Sequence, residues 1–185
     1  MRNRIKTPPE VLIERAQNND YRALEELIKL VQNKVYTTFL YLNKSEENIS
    51  DMTQEALIKM IKALPSLKNP KAFNSWLNQI VVNIFYDEMR KKKKKPEHHP
   101  IEHYMHIPDR IGLPVESAIT SEADKKIQKE IYSLPEHFRI PIILRELQGL
   151  SYEEIANATK TNVGTVKSRI ARAREKLQYS LKNYI

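Results

Sequence analysis

The sequence predicts an all-α protein built from two small helical domains that are joined by a flexible linker. Its 185 residues include only three glycines, whereas sheets with tight hairpins use more. Apolar residues recur at gaps of three and four through most of the chain, which is the period of one helix face. This period is lost in a stretch rich in His and Pro that begins at Pro96. We therefore expect domains at residues 8–95 and 117–185, with the linker at residues 96–116.

Two helices are predicted to open the first domain. Pro8 and Pro9 precede Glu10, which favours a helix start there. Asp20 can cap a second, longer helix. The apolar residues of this helix fall on one stripe: Leu24, Leu27, Ile28, Val31, Val35, Phe39 and Leu42.

Two more helices follow the connector NKSEEN. Asp51 with Gln54 predicts a capping box for a helix that stops before Pro65. Asn69 and Pro70 supply the cap and first residue of the fourth helix, which extends to about residue 90. We expect a shared core that includes these residues: Met52, Met60, Phe73, Trp76, Leu77, Ile80, Val81 and Ile84.

The second domain carries the pattern of a helix-turn-helix. Gly149 is a natural left-handed stop for the helix before it, and Ser151 with Glu154 forms a capping box for the next helix. TKTN then makes a short polar turn before the last helix. The predicted helices lie at about residues 117–133, 136–147, 151–158 and 162–182.

The last helix separates apolar from basic side chains. Residues 163–182 contain six basic residues and one acid, Glu175, whereas ordinary exposed helices mix the two signs more evenly. A helix fits the DNA major groove, where Arg and Lys donate to guanine. Backbone N–H groups at its start favour phosphate. We predict DNA contacts here, rather than only a solvated basic face, by these residues: Asn162, Thr165, Lys167, Ser168, Arg169 and Arg172.

The helix at residues 73–90 has a second polar face. At 100° per residue, Gln79, Asn83, Tyr86 and Arg90 lie opposite the apolar stripe. Aromatic rings stack on unpaired bases and amides bond their edges, so this face suits single-stranded DNA. The alternative is an ordinary solvated face. The RKKKKK run that follows can bind phosphates without reading sequence, or it can serve as a solvated tether.

Composition excludes several classes of protein. The net charge of +8 favours a polyanionic partner, and the absence of cysteine excludes disulfides and thiolate chemistry. Glycine spacing fits neither a Walker loop nor a dinucleotide fingerprint, so no cofactor is expected. The N-terminus has no apolar core and no apolar run approaches the ~18 residues that span a bilayer, which predicts a cytoplasmic protein without membrane insertion.

Four clustered histidines raise the question of a metal site. His99 and His103 are four residues apart, as helical ligands are, and His98 and His106 lie beside them. Three prolines in the same stretch argue against a helix, and no carboxylate pattern completes a ligand set. We therefore predict no metal.

The segment LPEHFRIPIILRELQGLSYEEIANATKTNVGTVKSRIARAREKL closely resembles region 4 of the extracytoplasmic-function sigma factors of the sigma-70 family. The matching motifs are Leu134-Pro135, Arg139, Tyr152 to Ala156, and Gly164 to Arg174. In the first domain, DMTQEALIKMIKAL resembles the region 2 helix that docks on the polymerase β′ coiled coil. FNSWLNQIVVNIFYDEMRKKKK resembles the helix that captures and melts the −10 element. The resemblance covers nearly the whole chain.

The resemblance implies an alternative sigma factor, not itself an enzyme. Its expected partners are core RNA polymerase, through the β′ clamp and the β flap, promoter DNA and an anti-sigma factor. Asp51, Gln54 and Glu55 are expected at the polymerase interface, although acids are also ordinary at a helix start. Asn83 is expected to read a flipped −10 base. Ala171 and Arg172 stand where relatives contact the −35 element, and Ala171 can offer only a methyl group.

Three other functions remain to be weighed. A helix-turn-helix regulator that acts without polymerase would explain the second domain and leave the first without a role. An enzyme acting on nucleic acid would need clustered acids for metal ions or a nucleophile beside a base, and the acids of this chain are scattered. A protein that only sequesters another factor would not need so basic a helix.

Overall fold

The computed structural model describes residues 9–43, 48–93 and 122–182, and within these ranges every regular element is helical. The α-helices are α1 (Pro9–Gln17), α2 (Tyr21–Leu42), α3 (Ile49–Ala63), α4 (Phe73–Lys93), α5 (Glu122–Ser133), α6 (Glu136–Glu146), α7 (Tyr152–Thr159) and α8 (Val163–Leu181). Short 3-10 turns at Leu64–Ser66 and Pro70–Ala72 connect α3 to α4. The predicted all-α class is confirmed. The expected linker and the four clustered histidines lie outside the described residues.

The helix caps of the first unit (α1–α4) agree only in part with the sequence predictions. The Asp20 side chain accepts hydrogen bonds from the backbone N–H groups of Arg22 and Ala23, at 3.0 and 3.1 Å, as expected for an N-cap. The capping box predicted for Asp51 and Gln54 is wrong. Helix α3 begins earlier, with Asn48 as its N-cap. The earlier start buries Ile49 against the core, and the cap pattern alone carries no information about that packing.

The first unit is a bundle in which α2 packs on α1, α3 and α4. Met52 and Met60 are buried as predicted. Trp76 is only partly buried, with its ring 5.8 Å from that of Phe73. Helix α4 buries a wider face than its apolar stripe indicated, since Val82 and Phe85 are fully buried. The reason is that α4 contacts α2 and α3 on one side and α7 on another.

The helix-turn-helix forms as the sequence predicted. The Ser151 side chain accepts from the N–H of Glu154 at 3.1 Å, and the Glu154 carboxylate accepts from the N–H of Ser151 at 2.8 Å. Both bonds of the capping box are therefore present. Lys160 adopts a left-handed conformation, φ 52°, in the turn between α7 and α8. Val166 and Ile170 bury the inner face of α8.

A buried arginine joins α5 to α6, the first two helices of the second unit (α5–α8). Arg139, on α6, is 3% exposed and donates to the carbonyl oxygen of Tyr132 at 3.2 Å. Burial lowers the pKa of its guanidinium, and the nearby Glu136 carboxylate acts in the opposite direction. Arg139 therefore ties the start of α6 to the last turn of α5 and is not available on the surface.

The two helical units pack against each other. Helix α7 contacts α4, and helices α5 and α6 contact α2. The buried apolar residues of the two units form one continuous cluster.

Gly149 and Gly164 offer a matched test of this backbone. Gly149 has a φ of +68° and open space where a Cβ atom would lie, whereas Gly164 lies inside α8 with only Asn162 Oδ1 near that position, at 3.5 Å. We expect Gly149→Ala to lower the free energy of unfolding by about 1 kcal/mol, through backbone strain alone. Gly164→Ala should raise it by roughly 0.5–1 kcal/mol. Urea denaturation followed by circular dichroism measures both, and equal effects of the two substitutions would contradict the backbone assignment.

Candidate nucleic-acid interface

The outer face of α8 presents most of the predicted DNA-contacting residues to solvent. Lys167, Ser168, Ala171 and Arg172 are exposed, whereas Arg169 is half-buried. The exposed side chains combine two cations, one hydroxyl and one methyl group. This set can donate to phosphate or to base edges and can touch a thymine methyl.

Two predicted residues at the start of α8 are occupied with capping. The Oδ1 atom of Asn162 accepts from the N–H of Thr165 at 2.7 Å. The N–H of Thr165 is therefore not free for a phosphate, which leaves its hydroxyl as the group that could contact DNA. Ser168 Oγ donates to the carbonyl oxygen of Thr165 at 3.0 Å, so its lone pairs remain available as acceptors.

An aromatic platform that the sequence analysis did not assign lies beneath this surface. The Tyr152 ring carries the Arg145 guanidinium, 4.9 Å from its centroid, and the Lys167 ammonium, at 5.6 Å. Arg145 also donates to the carbonyl oxygen of Leu150 at 2.7 Å. Three helices thus converge to orient Lys167. The spacing of these residues in the sequence does not predict the aromatic platform, because the three residues come together only when α6 and α8 pack around α7.

Arg174 differs from the other arginines of α8. It donates from Nε and Nη2 to the Glu146 carboxylate at 3.1 and 2.6 Å, and this pairing raises the pKa of Arg174. Both partners are about half exposed, so the pair adds little to stability. Its effect is to link α8 to α6 and to occupy the Nε and Nη2 donors of Arg174.

The predicted polar face of α4 is partly covered. Asn83 and Arg90 are exposed, Gln79 and Tyr86 are half-buried, and Arg90 pairs with Asp87. Burial raises the pKa of the Tyr86 phenol.

Three of the four residues of this face line one cleft. Its volume is about 280 Å³, and Asn83, Tyr86 and Arg90 form one wall. Gln79 does not reach it. The opposite wall includes Glu136 of α6 and Lys160 of the α7–α8 turn.

The third predicted group lies at the start of α3. Asp51 and Gln54 are exposed, and they are three residues apart on one side of the helix. Glu55 is half-buried and forms an ion pair of 2.7 Å with Lys59. The structure therefore leaves Asp51 and Gln54 free at the surface, while part of the charge of Glu55 is neutralised within the helix.

The side chains of the described ranges form no evident metal site, since no group of three His, Cys, Asp or Glu among them could hold a metal ion. Among the helices of those same ranges, none is long and apolar enough to cross a membrane.

A helix-turn-helix with a basic recognition helix, joined to a second helical unit with its own polar face, defines a DNA-binding transcription protein with two separate surfaces. Comparison with family models agrees: Sigma-70 region 2 matches residues 27–95 and Sigma-70 region 4 matches residues 124–177.

Relatives match over nearly the whole chain. The ECF RNA polymerase sigma-E factor of Haemophilus influenzae is 36% identical over 91% of this chain and 93% of its own. The sigma-E factor of Escherichia coli K12 is also 36% identical, over 90% of each chain. The RNA polymerase sigma-H factor of Pseudomonas aeruginosa is 32% identical over 92% of each.

Solved structures are similar as well. The sigma factor RpoE of Bartonella quintana, in complex with the anti-sigma factor NepR, has a TM-score of 0.65 and 27% identity, over 85% of this chain and 96% of its own. CnrH, in complex with the cytosolic domain of CnrY, has a TM-score of 0.67 over 95% and 97% of the two chains. At 20% identity the likeness to CnrH shows the shared fold.

The chain belongs to the extracytoplasmic-function sigma factors of the sigma-70 family. It is an alternative sigma factor that directs transcription initiation, and sigma factors bind core RNA polymerase and promoter DNA. The family and the function predicted from the sequence are both confirmed.

The aromatic platform yields a prediction about Lys167. Tyr152→Leu should weaken promoter binding by the polymerase holoenzyme roughly two- to fivefold, because a cation over an aromatic ring is worth ~0.5–1 kcal/mol. Tyr152→Phe keeps the ring and should bind nearly as well as the original protein. Filter-binding titrations at fixed salt measure both. Equal losses in the two variants would show that the hydroxyl matters and not the ring.

Proposed function

We propose that the two helical units divide promoter recognition between them. The unit at residues 8–95 binds core polymerase and opens the −10 element, and the unit at residues 117–185 binds the −35 element as duplex, with residues 96–116 connecting them. The observation that carries this proposal is the complete helix-turn-helix, whose second helix exposes Lys167 and Arg172 on its outer face.

Readout of the −35 element is assigned to the outer face of α8. Lys167, held by the Tyr152 ring, and Arg172 are the exposed donors suited to guanine or phosphate. Ser168 adds a hydroxyl and Ala171 a methyl contact, and Arg169, which is half-buried, adds a further cation. Asn162 caps the start of α8, and the Thr165 hydroxyl there is assigned to the DNA backbone.

Capture of the opened −10 strand is assigned to the polar face of α4. Asn83 supplies an amide for a base edge, Tyr86 a ring for stacking and Arg90 a cation for phosphate. These three side chains lie on one face of α4, which supports their acting together. Gln79 extends the same face toward the start of the helix.

The remaining parts of the proposal concern partners and location. Asp51, Gln54 and Glu55 form an acidic surface suited to a basic region of the polymerase clamp, and the β flap is the expected contact of the second unit. An anti-sigma factor is a further expected partner, supported by the similar sigma factor that was solved with one. The chain acts where the polymerase is, in the cytoplasm, and leaves the chemistry of RNA synthesis to it.

Run-off transcription tests the function as a whole. Purified bacterial core polymerase is incubated with a pool of bacterial promoters, with and without this protein. Initiation at defined start sites only in its presence is the expected result. Absence of initiation, together with tight duplex binding by the protein alone, would overturn the proposal in favour of a regulator that acts without polymerase.

Arg172 and Arg174 form a matched pair for testing the −35 assignment. Arg172→Ala should lower run-off transcription from a −35-dependent promoter by at least about fivefold, because a good arginine–base contact is worth ~1–3 kcal/mol. Arg174→Ala removes the same charge from the same helix and breaks its pair with Glu146, and it should have a small effect. An unchanged transcript level with Arg172→Ala would contradict the assignment.

Asn83 can be tested separately from duplex binding. Asn83→Ala should reduce transcription from an intact promoter roughly fivefold or more, since a lost base contact costs ~1–3 kcal/mol. Substitution of base pairs within the −10 element should reduce transcription less with the Asn83→Ala variant than with the original protein. A variant that still distinguishes −10 sequences as well as the original would remove Asn83 from the readout.

The surface proposed to bind polymerase, at the start of α3, predicts that reversing a charge there weakens binding to core polymerase. Asp51→Lys should weaken binding to core polymerase by roughly 1.5- to fivefold, because an exposed ion pair is worth ~0.2–1 kcal/mol. Glu26→Lys makes the same charge change on the exposed side of α2 and should leave binding unaltered. Fluorescence anisotropy with labelled protein measures both, and equal affinities for the two variants would place the interface elsewhere.

A further inference from the structure

Lys160 holds an unusual backbone conformation in the turn between α7 and α8. Its φ and ψ are 52° and 43°, in the left-handed region. Within residues 9–43, 48–93 and 122–182, the only other residue besides glycine with a positive φ is Asn19, at 63°. Asparagine tolerates this region because its short polar side chain can bond locally. Lysine has no such compensation, so Lys160 adds strain to the turn.

The turn itself does not need a lysine side chain. The backbone N–H of Thr161 donates to the carbonyl oxygen of Ala156 at 3.0 Å, and that of Lys160 donates to the carbonyl oxygen of Asn157 at 3.3 Å. Both bonds use backbone atoms alone, and glycine would form them without strain. The chain does use a glycine, Gly149, in the left-handed turn between α6 and α7. The geometry of the turn therefore does not account for a lysine at position 160.

The charge of Lys160 has no partner in the part of the chain that the structure describes. Its side chain is exposed, and it forms no hydrogen bond or ion pair with a residue of the described ranges. Glu136 lines the same cleft as Lys160, yet the two side chains are not paired. The strain of the turn is therefore not offset by an interaction of the lysine side chain with those residues.

The helix dipoles do not explain the lysine either. Lys160 directly follows Thr159, the last residue of α7, and lies three residues before Val163, the first residue of α8. A cation is stabilised by the carbonyl end of one helix and disfavoured by the N–H end of the next. Because both helix ends are close to Lys160, the two effects oppose each other. Strained residues concentrate at functional sites, so a strained and exposed cation in this turn calls for a functional reason.

The position of Lys160 within the helix-turn-helix indicates that reason. In this motif the second helix lies in the major groove of DNA, while the first helix crosses the DNA backbone. Lys160 connects α7 to α8, so it lies where the chain passes from the DNA backbone into the groove. Its flexible four-carbon stem and its ammonium group are suited to reach a phosphate there.

We propose that Lys160 is a positioning residue that binds a phosphate of the −35 duplex and thereby fixes how α8 enters the major groove. The inference rests on the proposed function, because it uses the assignment of α8 to the −35 element. Glycine at this position would form the turn but would not supply the cation, which explains why a strained lysine is present. A phosphate contact carries no sequence information, so it strengthens binding to different −35 sequences alike.

The contact should appear in the salt dependence of promoter binding. Each phosphate contact steepens the fall of log affinity with log salt by ~0.9 on B-form DNA. Lys160→Asn removes the cation and keeps a residue suited to the left-handed region, as Asn19 is. We expect this variant to weaken promoter binding by the holoenzyme roughly four- to tenfold at ~50 mM salt, and the loss should shrink by about 3.5-fold at ~200 mM. Lys160→Arg keeps the charge and should retain both the affinity and the slope.

Filter binding of the holoenzyme to promoter DNA across a series of salt concentrations measures the affinity and its slope. A truncated promoter that lacks the −35 element is the first control, because Lys160→Asn and the original protein should bind it equally. Lys125→Ala is the matched charge control, since Lys125 is exposed on α5, outside the helix-turn-helix, and its loss should leave the slope unchanged. Lys160→Gly should repeat the effect of Lys160→Asn. Thermal unfolding should show no lower melting temperature for either variant, because both residues suit the left-handed turn.

Unchanged affinity and slope with Lys160→Asn would overturn the phosphate contact. An equal loss on the truncated promoter would also overturn it, because the contact would then lie outside the −35 element. The same holds for an equal change of slope with Lys125→Ala, which would reduce the effect to net charge, and for a loss of affinity that persists in Lys160→Arg. Failure of the proposed function is distinct, since the original protein would then support no run-off transcript at all.

Discussion

The burial of the second half of α2 is the constraint on which the rest of the structure depends. From Val35 to Leu42 nearly every residue is buried, with α3 and α4 covering one side and α5 and α6 another. A helix buried on several sides cannot leave polar groups without partners. The Leu40 carbonyl oxygen obtains its partner from the second unit. The Thr38 hydroxyl donates to the Lys34 carbonyl oxygen within α2 and accepts from Gln148 of the second unit. The same contacts set the position of α7 on α4 and therefore decide which of the residues proposed to contact the promoter are exposed.

The basic residues of the second unit have different roles, although each contributes equally to the net charge. Arg139 is buried and ties two helices together, Arg174 is paired with an acid, and Arg145 lies on the Tyr152 ring. Among the residues predicted to contact DNA, Lys167 and Arg172 are the exposed cations. The division explains how a helix can be strongly basic while only part of its charge is available to DNA, and it supports assigning readout to a few residues.

Local features of the structure follow from the sequence, whereas relations between helices do not. The Ser151–Glu154 capping box and the left-handed Gly149 depend on residues adjacent in the chain, so their pattern predicts them. The start of α3 differs from the prediction because the burial of Ile49, and not the cap pattern, sets it. The helical wheel places Tyr86 on a free face, yet α7 partly covers it. A helical wheel describes one helix and cannot include the neighbour that packs on it.

The central claim, that α4 lies at the −10 element and α8 at the −35 element, can be tested by site-directed DNA cleavage. Single cysteines at the exposed positions of Lys91 and Lys176 would each carry an iron chelate in the holoenzyme bound to a promoter. The account predicts cleavage near −10 from position 91 and near −35 from position 176, about 85 Å apart along the duplex. Cleavage at one common location from both positions, or with the two locations exchanged, would contradict it.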